Sequence, residues 1–316
     1  MKNKEIAWIK CDVKDLKSLH SEIQGEIPKN VEYVISKDDV VARSVVLGVQ
    51  HNKTVLIKWP KWTGKTSVAS YVAQELNRPL LYMQLTGTTS VDEFVWCYLI
   101  KDQSTYWMDG ILAKAMKYWY ILVLDEANMP TGEITAILHS VMDDRKILVQ
   151  WTKDAEEWNV IHAHEDFRII ATINPADEWS YTWTKEMNES LVDRFKIVVS
   201  ATYPNTKKEV KILESKKAIT FTDKSKTYDY EWNENLSKDG VLTRMCGLAE
   251  AIRNADISYV VSTRNIIDWA ELSCHLPIIE AYKMTFEEKM DEESKEAVSG
   301  LISWYFSEHE RLNKEK

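Results

Sequence analysis

Two short clusters in this 316-residue sequence could do chemistry together. The first is Trp59-Pro60-Lys61-Trp62-Thr63-Gly64-Lys65-Thr66-Ser67. A small-residue loop ending in Gly-Lys-Thr and opening a helix can wrap phosphate with backbone N–H groups. In such a loop the lysine neutralises β/γ-phosphate charge and the threonine hydroxyl ligates Mg2+. Gly64, Lys65 and Thr66 are in place, but Trp59 stands at the pattern's first position, where glycine belongs. The second cluster is Asp125-Glu126, at the end of the apolar run 120–124. There Asp125 would hold Mg2+, directly or through water, and Glu126 would orient and polarise an attacking water.

A Thr-Gly-Lys-Thr run alone is weak, because it arises by chance. It gains force from the elements around it. Five short apolar runs, 54–58, 80–85, 120–126, 167–174 and 195–200, alternate with helix-like stretches at 66–77, 91–100, 109–118, 132–143 and 186–194. Residues 38–49 also carry apolar positions at helical spacing. Alternation of this kind predicts a parallel sheet covered by helices on both faces. Ligands then bind at the carboxyl ends of the strands, where both clusters would lie. Beyond 205 the pattern turns helical, at 205–217, 242–254, 263–284 and 287–316. The expected organisation is an N-terminal extension with some helix (1–30), an α/β nucleotide-binding core (31–204), a helical lid (205–285) and a charged C-terminal helical segment (286–316).

Composition narrows the classes. Hydrophobic residues make up 45% of the chain and charged ones 28%, so a folded core is expected and disorder is excluded for most of the length. No apolar run approaches the roughly 18 residues of a membrane span, and the N-terminus does not read as a signal peptide. A cytoplasmic protein without a membrane partner is the expectation. The net charge of −9 argues against a nucleic-acid binder, which usually carries a basic field. Cys11, Cys97, Cys246 and Cys274 form no CxxC pair and read as ordinary thiols. His162 and His164 lack a third ligand at suitable spacing, so no metal is assigned to them.

Several stretches carry a family resemblance: LYMQLTGTTSVDEF (81–94), YLIKDQSTYWMDGIL (98–112), ILVLDEANMP (121–130), HEDFRIIATINP (164–175), KEMNESLVDRF (185–195) and VSTRNIIDWAEL (261–272). Together with the phosphate loop, they make the chain resemble an AAA+ ATPase of the MoxR-like, dynein-related group. The chain is also similar to the ATPase subunit of cobalt chelatases. The resemblance implies an α/β P-loop NTPase core with a C-terminal helical lid, and ATP and Mg2+ as ligands. It implies sensor 1 at Asn174, an arginine finger at Arg194 that reaches a neighbouring subunit's γ-phosphate, and sensor 2 at Arg264. Gln84 sits where a partner for the catalytic glutamate often lies, without being assigned that role. A homo-oligomeric ring of six subunits would act on a protein client. That client would be a von Willebrand A-domain protein, a cofactor-dependent enzyme or a metal-insertion complex.

One compositional fact cuts across this. The chain has 9 Gly and 13 Trp, together about 7% of its residues, which is near the usual share of Gly alone. Trp59, Trp62, Trp96, Trp119, Trp151, Trp158, Trp179 and Trp183 fall where the family shows glycine or where a turn is needed. Trp107 and Trp269 read as genuine aromatics, and Trp8, Trp232 and Trp304 are unassigned. Three accounts compete: a chain that has lost ATP binding and serves as a scaffold, a loop that rearranges around tryptophan, and UGA codons that the source decodes as glycine but that are written here as tryptophan. The third best explains why Lys65, Asp125, Glu126, Asn174, Arg194 and Arg264 all persist. A nucleic-acid motor of the same superfamily is a further alternative.

Overall fold

Apolar runs too short to be helices, and apolar at every position, become strands buried on both faces. In chain order the strands are β1 (Lys2–Ile6), β2 (Ile9–Val13), β3 (Val55–Lys58), β4 (Leu80–Gln84), β5 (Trp96–Lys101), β6 (Ser104–Asp109), β7 (Ile121–Asp125), β8 (Lys146–Val149), β9 (Asn159–His162), β10 (Arg168–Ile173) and β11 (Ile197–Ser200). The helices are α1 (Val40–Gln50), α2 (Lys65–Glu75), α3 (Val91–Phe94), α4 (Ile111–Lys117), α5 (Gly132–Asp144), α6 (Glu189–Val192), α7 (Thr206–Ser215), α8 (Lys238–Arg253), α9 (Thr263–Leu272), α10 (Ile278–Thr285) and α11 (Glu292–Lys314). The structure, a computed structural model, describes residues 2–15, 25–36, 39–58, 65–101, 104–149, 159–174, 187–216, 219, 238–255, 257 and 259–314. The chain divides into two units, the first ending at Ala201 and the second spanning Thr202–Lys316.

The first unit is built on a five-stranded sheet in the order β11-β3-β10-β7-β4, with every pairing parallel. Val55, Leu56 and Ile57 of β3 and Ile121, Leu122 and Val123 of β7 are fully buried. One face packs on α1 and α2 through Val45, Val46, Val68 and Val72. The other packs on α4 and α5 through Leu112, Met116, Ile134 and Leu138. Register brings the carboxyl ends of the strands to one edge: Gln84 lies opposite Asp125, Ile173 opposite Lys58, and Ser200 opposite Lys58. Arg168, buried at the start of β10, donates to the carbonyls of Val49 at 2.7 Å and Glu165 at 2.6 Å, tying down the opposite edge.

The N-terminal stretch, expected to be an extension with some helix, opens with the β1–β2 hairpin, which buries Ile6 and Cys11 in the α1–α2 core. Two expectations are corrected. The helix expected over 91–100 is a single turn, α3, followed by strand β5, which pairs antiparallel with β6. The helix expected over 263–284 is two helices, α9 and α10, and Pro277 caps the second. Proline restrains the residue before it from helical backbone, which accounts for the break.

The second unit has its own core. Trp269 is buried at 1% exposure and donates its indole N–H to the Ile278 carbonyl at 2.9 Å. Edge-on contacts to Tyr282, Phe286 and Phe306 surround it. The last helix, α11, adds Val298 and Phe306 to this core. Beside it, Glu209 is fully buried and takes both outer nitrogens of Arg253 at 2.8 and 3.0 Å and the Thr263 hydroxyl at 2.8 Å. Arg253 also donates to the Val261 carbonyl at 2.6 Å. One ion pair thereby joins α7, α8 and the start of α9, and losing either partner would strand a buried charge. No helix among the described residues is long and apolar enough to cross a membrane.

Trp269→Ala should destabilise the protein by about 3–5 kcal/mol, because it removes a large buried side chain and leaves a cavity. Trp304→Ala, at a position 74% exposed, should stay within about 0.5 kcal/mol of the parent. Chemical denaturation of both variants checks the contrast.

Candidate nucleotide site

The phosphate loop itself, residues 59–64, lies outside the described residues. Its two anchors are described. β3 ends at Lys58, at the carboxyl edge of the sheet, and α2 starts at Lys65. Val68, Ala69, Val72 and Ala73 are completely buried and hold α2 on the sheet. Lys65 and Thr66 occupy the first turn of α2, and Ser67 is exposed beside them. A helix start at this edge offers backbone N–H groups and a positive dipole end to an anion.

Asp125 ends β7, at the carboxyl edge of the same sheet. Its carboxylate is gripped from three directions. The Thr172 hydroxyl of β10 makes a short hydrogen bond to Oδ1, the backbone N–H of Glu126 reaches the same oxygen at 3.0 Å, and the Tyr82 hydroxyl of β4 donates to Oδ2 at 2.7 Å. The register explains the arrangement. Ala171 pairs with Leu124, which sets Thr172 beside Asp125 on one side. Gln84 pairs with Asp125 on the other, and Tyr82 shares the Gln84 face of β4.

Neighbouring residues of a regular strand point to opposite faces, so Asp125 and Glu126 would normally diverge. Glu126 instead has φ 54°, in the left-handed region. Its Oε2 accepts from the Gln84 amide at 3.0 Å, on the strand beside Asp125. Left-handed backbone costs a non-glycine residue roughly 1–2 kcal/mol and persists where neighbours over-determine it. Here the Asp125 carbonyl accepts from Leu85 N–H at 2.9 Å, and Ala127 N–H donates to the Thr172 carbonyl at 3.0 Å. The turn is therefore tied to strands on both sides. Two acidic side chains meet at one edge, one held by hydroxyls and one by an amide.

The oxygen donors fit Mg2+, which is usually held by one or two carboxylates plus substrate phosphates and water rather than by a full protein cage. Asp125 would supply the carboxylate, and Thr66 stands in the first turn of α2. Among the described residues no cluster of three His, Cys, Asp or Glu side chains offers a separate metal site. His164 has a local role: its Nδ1 accepts from Asp166 N–H at 3.0 Å.

Asn174 follows the last residue of β10, at the same sheet edge. Arg194 follows α6 and is ion-paired with Asp143 at 2.8 Å rather than with Asp125 or Glu126. Arg264 is exposed in the first turn of α9, in the second unit, where Ser262 and Asn265 form a capping box. Sequence reasoning missed Tyr82 and Thr172 and left Gln84 unassigned. The signal for Thr172 and Gln84 was their position on strands flanking the acidic pair, legible only once the strand order was known.

Of the tryptophans read as glycine-like, Trp59, Trp62, Trp151, Trp158, Trp179 and Trp183 lie outside the described residues. Trp119 has φ 54°, left-handed, in the turn before β7. Its ring lies 5.4 Å from the Arg78 guanidinium. Trp96 begins a strand, and nothing in its backbone calls for glycine. The unassigned Trp8 has φ 62° and follows Ala7 at φ 49° in a two-residue hairpin loop between β1 and β2. Two positive φ values mark the turn type that favours glycine at its second position.

The profile of the AAA domain, dynein-related subfamily, matches residues 54–195, which include Lys65, Thr66, Asp125, Glu126, Asn174 and Arg194. Among curated relatives, the aerobic cobaltochelatase subunit CobS of a Sinorhizobium species is 29% identical over 272 residues, covering 83% of this chain and 77% of that protein. An uncharacterised protein of Staphylococcus saprophyticus is 27% identical over 88% of this chain and 99% of its own length. Protein NorQ of Paracoccus denitrificans is 27% identical over 80% of this chain and 85% of its own.

Thr172→Val removes one hydroxyl from Asp125 while keeping side-chain volume. Hydrogen bonds to charged groups contribute about 1.5–3 kcal/mol, so the Mg2+ concentration needed for half-maximal nucleotide binding should rise about tenfold. Titration of Mg2+ at fixed nucleotide, followed by calorimetry, reads this directly. An unchanged midpoint would remove Thr172 from the site.

Proposed function

We propose that this chain, whose residues 54–195 are an AAA domain of the dynein-related subfamily, hydrolyses MgATP within a homo-oligomeric ring and uses the cycle to remodel a protein partner. It is a P-loop ATPase of the MoxR-like group, related to CobS and NorQ. The observation that carries the reading is the carboxyl edge of the sheet, where Asp125 and Glu126 are held by Thr172, Tyr82 and Gln84.

In this reading the loop 59–64 and the first N–H groups of α2 bind the phosphates, with Lys65 countering their charge. Thr66 and Asp125 would hold Mg2+, which would neutralise phosphate charge. Glu126 accepts a hydrogen bond from the attacking water, and Gln84 fixes its carboxylate. Asn174 helps place that water. Arg194 meets the γ-phosphate of the adjacent subunit, which makes the ring, of six subunits in this proposal, a requirement of the chemistry. Arg264 serves as sensor 2. For the client we favour a metal-insertion complex, following the name of the cobaltochelatase relative, or the von Willebrand A-domain protein that the family resemblance implies. We place the protein in the cytoplasm, where its four free cysteines would stay thiols.

The competing reading is a scaffold that does not bind ATP, and it depends on Trp59 and Trp62 being genuine. Backbone at two other tryptophans bears on that choice. Trp8 and Trp119 both occupy left-handed φ, where glycine is the residue without steric cost. This supports the proposal that tryptophan here stands for glycine encoded by UGA, at 8 and 119 as well as at 59 and 62.

Two outcomes test these readings. On a background with Trp59→Gly and Trp62→Gly, Glu126→Gln should bind ATP but hydrolyse it at least about tenfold more slowly, because only the water-polarising carboxylate is lost. Undiminished turnover would exclude Glu126 from that role. The Trp59→Gly, Trp62→Gly chain should also bind ATP about 100-fold more tightly than the chain with both tryptophans, the equivalent of two charge-assisted hydrogen bonds restored. Mass spectrometry of the protein from its source should find glycine at 8, 59, 62 and 119. Tryptophan there would favour the scaffold.

A further inference from the structure

Arg194 is held in place from the backbone outward. Asn188 caps the single turn of α6 by accepting from Ser190 N–H at 2.8 Å. Beyond that turn, Arg194 N–H donates to the Leu191 carbonyl, and the Phe195 side chain is buried in the core. The Arg194 carbonyl accepts from the Thr54 hydroxyl at 3.0 Å, and the same hydroxyl accepts from Lys196 N–H. The residue is therefore fastened to the start of β3 and cannot swing with its loop.

Its side chain is fastened too. Nε donates to Asp143 Oδ2 at 2.8 Å and Nη1 donates to the Ser190 carbonyl at 2.6 Å. Nη2 has no partner among the described residues. Asp143 sits in the last turn of α5, a helix anchored by buried Ile134, Leu138 and Val141. One turn earlier on the same helix, His139 has a buried Nε2 without a partner. Burial, and then the Arg194 guanidinium, hold the His139 pKa below its usual value, so a neutral imidazole leaves Asp143 to the arginine.

Stability does not account for this contact. The pair is solvent-exposed, 28% at Arg194 and 49% at Asp143, and exposed pairs contribute little. What the pair does supply is orientation. A free arginine side chain samples many rotamers, and each must be given up when it meets a phosphate. With Nε and Nη1 already occupied, the guanidinium is fixed while Nη2 remains available, so it can meet a phosphate without breaking the contact to Asp143. We propose that Asp143 is a positioning residue for the arginine finger: it holds Arg194 of its own subunit in the geometry that acts on the neighbour's nucleotide. The inference rests on the proposed role of Arg194.

The test uses the full chain carrying glycine at 59 and 62. Asp143→Ala should lower kcat about tenfold, leave the KM for ATP within about twofold and leave the melting temperature unchanged. Asp143→Asn, whose amide oxygen still accepts, should fall between, and Asp143→Glu should recover most of the activity. In rings mixed with Glu126→Gln, the Asp143→Ala sites should regain turnover. Their own catalytic carboxylate is intact, and the Glu126→Gln neighbour supplies a well-held finger. A merely structural defect would not be corrected from the neighbouring subunit. If Arg194→Ala abolishes hydrolysis while Asp143→Ala is fully active, or faster, the positioning role is overturned and the finger stands. Faster turnover would mean that the contact restrains Arg194 rather than aiming it. If Arg194→Ala itself keeps full turnover, the finger reading fails and this inference with it.

Discussion

The carboxylate of Asp125 accepts hydrogen bonds from the strands on both sides of it, and the rest of the site depends on that arrangement. It requires β7 to lie between β4 and β10 in a parallel sheet, so that Tyr82, Asp125 and Thr172 come together at one edge. It requires those strands to be apolar throughout, because helices cover both faces. It also fixes the turn that follows. With the backbone of 125–127 bonded to β4 and β10, Glu126 adopts left-handed backbone and presents its carboxylate to Gln84. Two adjacent carboxylates that a regular strand would separate are thereby turned to a single purpose.

The same economy governs the other charged groups. Deep in each unit an arginine is used as structure. Arg168 satisfies carbonyls at the lower edge of the sheet, and Arg253 pairs with the fully buried Glu209. Their multiple hydrogen bonds offset the cost of removing charge from water. Arg194 has the opposite character. It is half-exposed and held by only two of its nitrogens, and its ion pair is too weak to matter for folding. That difference in setting, rather than any difference in residue type, separates the arginines that build the fold from Arg194, which keeps one guanidinium nitrogen without a partner among the described residues.

Tryptophan occupies two kinds of site in this chain. Trp269 is packed among three aromatic rings with its N–H satisfied, and the second unit's core is built around it. Trp8 and Trp119 occupy tight turns with left-handed backbone, where a bulky side chain brings strain and no comparable burial. Trp119 does find a partner in Arg78, but a contact at 5.4 Å between a cation and a ring does not explain why the backbone there is left-handed. Turn geometry explains it, and turn geometry favours glycine.

The sequence by itself was enough for the central sheet, its alternation of helices and strands, and the placement of Lys65 and Thr66 at a helix start and of Asp125 and Glu126 at a strand end. Those signals are local: apolar runs of strand length, a Gly-Lys-Thr at a helix start, and acids at a strand end. Residues 96–100 were misread because a short run rich in apolar and aromatic residues suits helix or strand equally. Pairing of β5 with β6, a contact with residues up to 13 positions away, decides between them. Gln84, Thr172 and Tyr82 became site residues only through strand order, since each lies about 40 or more residues from Asp125 in the chain. Asp143 met Arg194 across 51 residues for the same reason. Local spacing is written in the sequence, but which distant side chains share one sheet edge is decided by the packing of the whole unit.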